Sequence, residues 1–239
     1  MILCSWEKLP EELKTDTVRP YYDTLSRKKA SLFFKRIFDV VVSAVMLLLL
    51  SPVFLVLAIA IKLDSSGPVF YRQERVTQYG KRFRIFKFRS MVQNADKGSL
   101  VTVSGDSRIT RVGKVIRKCR LDELCQLIDV LRGTMTFVGT RPEVPKYVAA
   151  YTPEMMATLL LPAGVTSLAS IFYKDEDELL DGAEDVDAVY IGKVLPGKMR
   201  YNLEAIKKFS FFGDIKLMFM TVFAVLGKEY IAKEEAVQK

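Results

Sequence analysis

One apolar stretch dominates the hydrophobic pattern of the chain. From Val40 to Ile61 only Ser43, Ser51 and Pro52 interrupt a run of apolar side chains. As a single helix that run would extend ~33 Å, enough to cross the hydrocarbon core of a bilayer. Its flanks argue against a crossing. Arg27, Lys28, Lys29, Lys35 and Arg36 precede it, and Lys62, Arg72 and Arg75 follow, so both ends carry the positive charge that marks the cytoplasmic side. Ser51-Pro52 supplies a break near the middle, because Pro lacks the amide of a continuous helix while the Ser hydroxyl can satisfy a freed carbonyl. The pattern therefore predicts a re-entrant helix-break-helix hairpin that dips into one leaflet, with Ser51 and Pro52 as its membrane hinge. The alternative is an ordinary transmembrane helix with a Pro kink.

Downstream the period changes. After the turn-rich Asp64-Ser65-Ser66-Gly67-Pro68, residues Val69 to Arg75 and Arg82 to Arg89 read as two strands joined around Gln78-Tyr79-Gly80, a β-hairpin. Ser90 to Ser107 is polar and reads as loop. Helical spacing then returns with Val112, Val115, Ile116 and Cys119 on one expected face, and again with Leu124, Leu127, Ile128 and Leu131. Asp122 and Glu123 fall at the expected start of the second helix, and Gly133 at its end. Phe209 to Leu226 is apolar but contains Asp214 and Lys216, each costing about 2.5 to 3.5 kcal/mol at a bilayer centre, so an interfacial helix is expected there. The fold class expected is α+β and mostly helical: a re-entrant membrane hairpin and interfacial amphipathic helices around a small core with a β-hairpin. Three segments follow from this reading: a polar extension at 1–30, broken by Pro10 and Pro20; the membrane element at 31–63; and a catalytic part at 64–239.

Composition sharpens the picture. Half of the 239 residues are hydrophobic and 27% are charged, with a mean hydropathy of +0.15, a mixture that suits a membrane-associated protein with a polar working part. The formal charge is +8, and residues Tyr71 to Arg120 hold 14 Lys/Arg against three Asp/Glu. An anionic partner is expected: lipid surface, nucleotide, phosphorylated lipid or nucleic acid. The acidic counterpart, eight carboxylates between Asp175 and Asp187, reads as a solvated loop or helix face rather than a metal cage. The polar residues preceding the apolar run do not have the form of a signal peptide.

Histidine is absent, which removes Ser-His-Asp and Cys-His nucleophilic sites and HExxH zinc sites. Carboxylates, Lys, Tyr, Cys and Ser remain. Cys4, Cys119 and Cys125 are odd in number and match no CxxC spacing, so they read as reduced thiols. The adjacent pair Asp122-Glu123 leads the candidates, because it follows a basic helix and stands at an expected helix N-terminus, both of which favour bound phosphate. A helix cap is the structural alternative for the same pair.

Eight motifs then occur in order: Lys35-Arg36-Ile37-Phe38-Asp39, Ser51-Pro52, Gly67-Pro68-Val69-Phe70, Gln73-Glu74-Arg75, Lys87-Phe88-Arg89-Ser90-Met91, Gly105-Asp106-Ser107-Arg108-Ile109-Thr110, Leu121-Asp122-Glu123-Leu124 and Val138-Gly139-Thr140-Arg141-Pro142. This order resembles the bacterial sugar transferase family, the monotopic phosphoglycosyl transferases, over about Lys35 to Pro142, with weaker similarity through Pro162-Ala163-Gly164-Val165-Thr166 to Leu226.

The resemblance implies a re-entrant membrane helix and a two-step reaction. Asp122 would attack the sugar-linked phosphate of a UDP-sugar and release UMP, and the phosphosugar would pass to polyprenyl (undecaprenyl) phosphate. Glu123 would hold Mg²⁺, and Lys87, Arg89, Arg108, Arg117 and Arg141 match basic positions that would clamp phosphate. The reaction implied is the first membrane step of polysaccharide or glycoconjugate assembly, at the cytoplasmic face of the bacterial inner membrane among its lipids, with no nucleic acid. Monomer and dimer stay open. Three places, four residues in all, depart from the family pattern. Thr140 replaces a usual Pro, which predicts a looser loop around Arg141; Ala163 and Ser167 alter the Pro-Gly-(Ile/Val)-Thr-Gly stretch; Cys125 replaces a frequent Pro. A non-catalytic basic module binding anionic lipid or nucleic acid would explain the charge and the apolar run, but not the ordered motifs.

Overall fold

A computed structural model describes residues 3–93, 95, 107–173 and 185–225. Most of the Ser90–Ser107 loop, most of the acidic Asp175–Asp187 stretch and Leu226 fall outside those residues. The chain is mostly helical. After a first helix α1 (Arg19–Ser26), the long apolar run forms α2 (Lys29–Leu49) and α3 (Ser51–Asp64). These two meet at a 60° bend, and among the described residues no single helix is long and apolar enough to cross a membrane. The break falls at Leu50, one residue before the expected hinge. Ser51 donates its hydroxyl to the Leu48 carbonyl at 2.8 Å, and Pro52 sits in the first turn of α3, where its missing N–H leaves no helix bond unmade. Around the bend Leu48, Leu49, Leu55, Val56 and Leu63 are exposed, while Phe38, Val42, Met46, Leu50 and Phe54 pack inward.

Polar side chains dock α2 onto the rest of the chain. Lys35, Asp39 and Ser43 recur at every fourth residue, hence on one helix face, and all three are buried. Lys35 donates to the Val138 carbonyl at 2.8 Å and pairs with Asp214 at 2.5 Å. Asp39 accepts from the Thr136 hydroxyl at 2.7 Å and the Phe137 amide at 3.3 Å. Arg36 forks to the carbonyls of Val130 and Leu131 at 2.7 and 2.9 Å.

The expected hairpin is present. Strand β1 (Phe70–Val76) pairs antiparallel with β2 (Arg82–Phe88), with Arg75 opposite Phe83 and Tyr71 opposite Lys87. Alternation along a strand places Tyr71, Gln73, Arg75 and Lys87 on one face. The turn uses Tyr79 at φ 59° and Gly80 at φ 72°. A second, parallel pair joins β3 (Met135–Val138) to β4 (Ala163–Thr166). Thr77 links the two sheets, donating to the Thr134 carbonyl at 2.6 Å and accepting from the Ala163 amide at 3.1 Å.

The remaining helices are α4 (Arg111–Lys118), α5 (Gln126–Arg132), α6 (Pro145–Val148), α7 (Leu168–Phe172), α8 (Val186–Val189), α9 (Leu195–Lys207) and α10 (Phe211–Val225). In α4 the expected apolar face is only half realised: Ile116 is buried, but Val115 and Cys119 are exposed. Gly113 explains the rotation, since a Cβ there would lie 2.0 Å from the Ser90 carbonyl oxygen; α4 sits on that carbonyl and turns Val115 outward. In α10, Asp214 points to Lys35 rather than outward, while Phe212, Phe219 and Val222 are exposed.

Residues 3–26, read from the sequence as a polar extension, carry a buried set. Leu3, Leu9, Leu13, Val18, Tyr21, Tyr22 and Leu25 join Ala157, Leu159, Leu160, Leu203 and Ile206 in one core. Short 3₁₀ turns at Trp6–Lys8 and Glu11–Leu13 break the 3.6-residue period by which such a face is recognised.

Candidate active site

Helix α4 delivers the chain to the site. Thr110 caps it, its hydroxyl accepting from the Gly113 amide at 2.9 Å, and Asp64 at the end of α3 accepts from the Val112 amide at 2.9 Å. The Thr110 hydroxyl and then that amide hold the Asp64 carboxyl below its ordinary range. Beyond α4, Arg120 adopts a left-handed φ of 52° and the chain folds into a single 3₁₀ turn, Leu121–Glu123. The Asp122-Glu123 pair therefore does not open a helix as expected. Successive i→i+3 bonds, from Leu124 N to Leu121 O and from Leu127 N to Leu124 O at 3.2 Å each, keep this stretch tight until α5 begins at Gln126. Side-chain cations, rather than the end of an α-helix, supply its positive surroundings.

Those cations come from three elements. Arg141, following β3, forks onto both carboxylate oxygens of Glu123, with Nη1 3.3 Å from Oε2 and Nη2 on Oε1. Lys87 from β2 places its ammonium 3.9 Å from the same Oε1. Burial opposes ionisation of Glu123, but the charges of Arg141 and Lys87 outweigh it and hold the carboxyl at about 2. Asp122 behaves oppositely: burial pushes its carboxyl above the ordinary range, against the pull of Lys87 and of Arg117 from α4. Burial lowers the Lys87 ammonium, with Glu123 resisting. Two neighbouring carboxyls thus carry different proton affinities, which suits different roles.

Of the five expected clamps, Lys87, Arg117 and Arg141 gather around the pair. Arg89 does not. It is buried, donates to the carbonyls of Ser65 and Ser66 at 2.7 and 2.6 Å and to the Ser65 hydroxyl at 2.9 Å, and so secures the end of α3. Gly67 beside that guanidinium sits at φ 117°, a backbone conformation that favours glycine. Arg108 donates to the Ala95 carbonyl at 2.6 Å.

The departures from the family pattern take scaffold positions. The loop carrying Arg141 is held despite Thr140, because the Gly139 amide donates to the Thr166 carbonyl at 2.9 Å and the Gly164 amide to the Thr140 carbonyl at 2.8 Å. The two backbones lie so close that a Cβ on Gly164 would sit 2.2 Å from Gly139. Ala163 is buried in the core, and Ser167 caps α7, accepting from the Ser170 amide at 3.0 Å. Cys125 is fully buried beside the pair, its thiol donating to the Asp122 carbonyl at 3.4 Å. All three cysteines are free thiols.

Sequence reasoning gave Lys35, Asp39, Arg75 and Glu143 no part in holding the site together, reading Lys35 and Arg75 only as flanking charge and motif positions. For the first two the signal was available: polar residues at a spacing of four inside an apolar helix. Among the described residues no cluster of three or more metal-binding side chains occurs. Mg²⁺ characteristically takes one or two carboxylates and completes its shell with substrate phosphates and water. The adjacent Asp122 and Glu123 fit that donor set, since a carboxylate oxygen held by Arg141 keeps a second lone pair.

Residues 30–228 match the family model described as bacterial sugar transferase, and on that match the chain belongs to that family. Among curated proteins it is 37% identical over 198 residues to the UDP-N-acetylgalactosamine-undecaprenyl-phosphate N-acetylgalactosaminephosphotransferase of Aeromonas hydrophila, a match covering 81% of this chain and 44% of that protein. It is 36% identical over 218 residues to the UDP-glucose:undecaprenyl-phosphate glucose-1-phosphate transferase of Escherichia coli (strain K12), covering 89% of this chain and 44% of that protein. A protein named for the same glucose-1-phosphate transfer in Caulobacter vibrioides is 35% identical over 196 residues, 80% of this chain and 69% of the relative. The chain thus spans less than half the length of the first two.

Proposed function

We propose that this chain transfers a sugar-1-phosphate from a UDP-sugar to polyprenyl phosphate through a phosphosugar carried on Asp122. One observation carries the reading: two half-buried carboxylates with different proton affinities stand among Lys87, Arg117 and Arg141. That is a site built for an anion and a carboxylate together. The names of the relatives supply the donor and acceptor classes.

In the first step a carboxylate oxygen of Asp122 attacks the phosphorus bearing the sugar. The bond from that phosphorus to the bridging oxygen breaks, and UMP leaves with the bond electrons. In the second step a phosphate oxygen of the polyprenyl carrier attacks the same phosphorus, forming a diphosphate and freeing the Asp122 carboxylate. Lys87 and Arg117 lower the repulsion between carboxylate and phosphate, while Arg141 keeps Glu123 ionised and oriented. Bound Mg²⁺, held by Glu123 with Asp122 beside it, would neutralise diphosphate charge.

The bent helix pair supports a one-sided membrane attachment. Each apolar leg is roughly 15 Å long, so a symmetric placement of the bend carries it roughly 8 Å inward, within one leaflet. Cationic flanks at both ends favour the cytoplasmic face of the inner membrane. Exposed Phe212, Phe219 and Val222 on α10 suit the interfacial zone beside it.

The test is UMP release from a panel of UDP-sugars by detergent-solubilised protein with polyprenyl phosphate present. One or more sugars should support release, and Asp122→Asn should abolish it. Release of UMP by the Asp122→Asn variant as fast as by the parent would remove the nucleophile assignment.

A further inference from the structure

We infer that Arg75 is a positioning residue for the transfer reaction, acting through Arg141. The inference rests on the function proposed above. It starts from the hairpin face that Arg75 shares with Lys87, so that β1 and β2 each send one cation toward the same side.

Arg75 does not present an open fork. Its Nη1 donates to the Pro142 carbonyl at 3.1 Å and its Nη2 to the Gln73 side-chain oxygen at 2.7 Å. The next residue continues the grip, the Val76 amide donating to the Glu143 carbonyl at 2.9 Å. Strand β1 therefore holds the carbonyls of the two residues that directly follow Arg141.

The far side of the same segment is also held. The Glu143 carboxylate is buried, accepts from the Tyr190 hydroxyl at 2.6 Å and takes Lys198 at 3.4 Å. Lys198 in turn donates to the Tyr190 hydroxyl at 3.0 Å, and the Tyr190 ring lies 4.4 Å from that of Tyr147. Together with the Gly139–Gly164 backbone contact upstream, this leaves Arg141 on a short span pinned at both ends.

The arrangement has an electrostatic reason. Arg75, Lys87 and Arg141 are like charges drawn together; burial and the Arg141 charge weaken the hold of Arg75 on its proton, and Glu143 opposes both. A half-buried cation so close to the site is tolerated because Glu143 offsets it and the Pro142 and Gln73 oxygens accept its hydrogen bonds. Neutral residues would fill that space with less electrostatic conflict. What the guanidinium adds is a fixed carbonyl next to the residue that orients Glu123. Displacements of about 1 Å in such a support cost on the order of 100-fold in rate.

The experiment is a double-mutant cycle on kcat for UMP release, with the KM of the UDP-sugar recorded alongside. Arg75→Gln should lower kcat about 10- to 100-fold with KM changed less than about threefold, and in an Arg141→Ala background the same change should cost less than about twofold. Arg75→Lys, which keeps the charge but not the fork, should remain at least about fivefold below the parent. Should Arg75→Gln fail to fold, Tyr190→Phe probes the other side of the span, with an expected loss of about threefold that again vanishes without Arg141. Equal losses in both backgrounds, or parental kcat in Arg75→Gln, would overturn the inference. Parental activity in Arg141→Ala alone would strike the proposed site itself, and this inference with it.

Discussion

Two carboxylate clusters in this protein use the same chemistry to opposite ends. Where α2 meets the core, Asp39 and Asp214 are saturated: Lys35 bridges Asp214 to the Val138 carbonyl, and Thr136 and the Phe137 amide satisfy Asp39. Around the 3₁₀ turn, Asp122 and Glu123 stand among Lys87, Arg117 and Arg141, with Arg75 behind. The first cluster spends its donors on the carboxylates and on the Val138 carbonyl, so it fixes a helix. The second gathers more positive than negative charge, the balance that the proposed anionic substrate calls for.

The largest expected contrast comes from removing one carboxylate oxygen. Asp122→Asn should reduce UMP release by more than about 1,000-fold while leaving the thermal midpoint within about 2 °C, since no fold-bearing contact depends on its charge. In the closed cluster the effects reverse. Lys35→Met leaves the half-buried Asp214 without its cation and should cost roughly 3 kcal/mol of stability in detergent, the low end for a broken buried pair, and adding Asp214→Leu should recover more than half of that loss. Arg141→Ala comes next, with about a 100-fold fall in kcat and a raised metal requirement, measured by titrating Mg²⁺.

A pH profile sharpens the difference between the two site carboxyls. Burial raises Asp122, so if it is the nucleophile proposed, it protonates as pH falls and the acid limb of kcat should lie above the ordinary aspartate value. Glu123 is depressed to about 2 from its ordinary 4.5. Its stabilising contribution is therefore complete above about 4.5 and is lost as pH falls toward 2. Acid unfolding of Glu123→Gln should accordingly be shallower over that window than that of the parent. The smallest effect is expected at Thr140→Pro, less than about twofold in kcat, because the Gly139 and Gly164 amides already pin that loop.

Much of the architecture was legible because it follows simple periods. The hairpin strands fall within one residue of their expected limits, since their alternation and the Gln78-Tyr79-Gly80 turn are local signals. The break in the apolar run lies one residue from Ser51-Pro52 for the same reason. The N-terminal core set was hidden because its short turns share no single period. The 3₁₀ turn at Asp122 was read as a helix start because an apolar stripe from Leu124 to Leu131 continues in register, and the left-handed Arg120 that separates them leaves no trace in composition. Of the residues that motif order singled out, the Asp122-Glu123 pair and three of the five cations lie together. Arg89 shows the limit of that route: a motif arginine has the same letter whether it faces phosphate or three oxygens at the end of α3, and the partners that decide lie more than twenty residues away.

The central claim is the covalent bond from Asp122 to phosphorus. Protein mixed with a UDP-sugar donor and no polyprenyl acceptor, quenched in acid and digested, should yield a peptide containing residue 122 heavier by one phosphosugar, and Asp122→Asn should yield none. Rapid UMP release with residue 122 unmodified, or the adduct on a different side chain, would contradict the account.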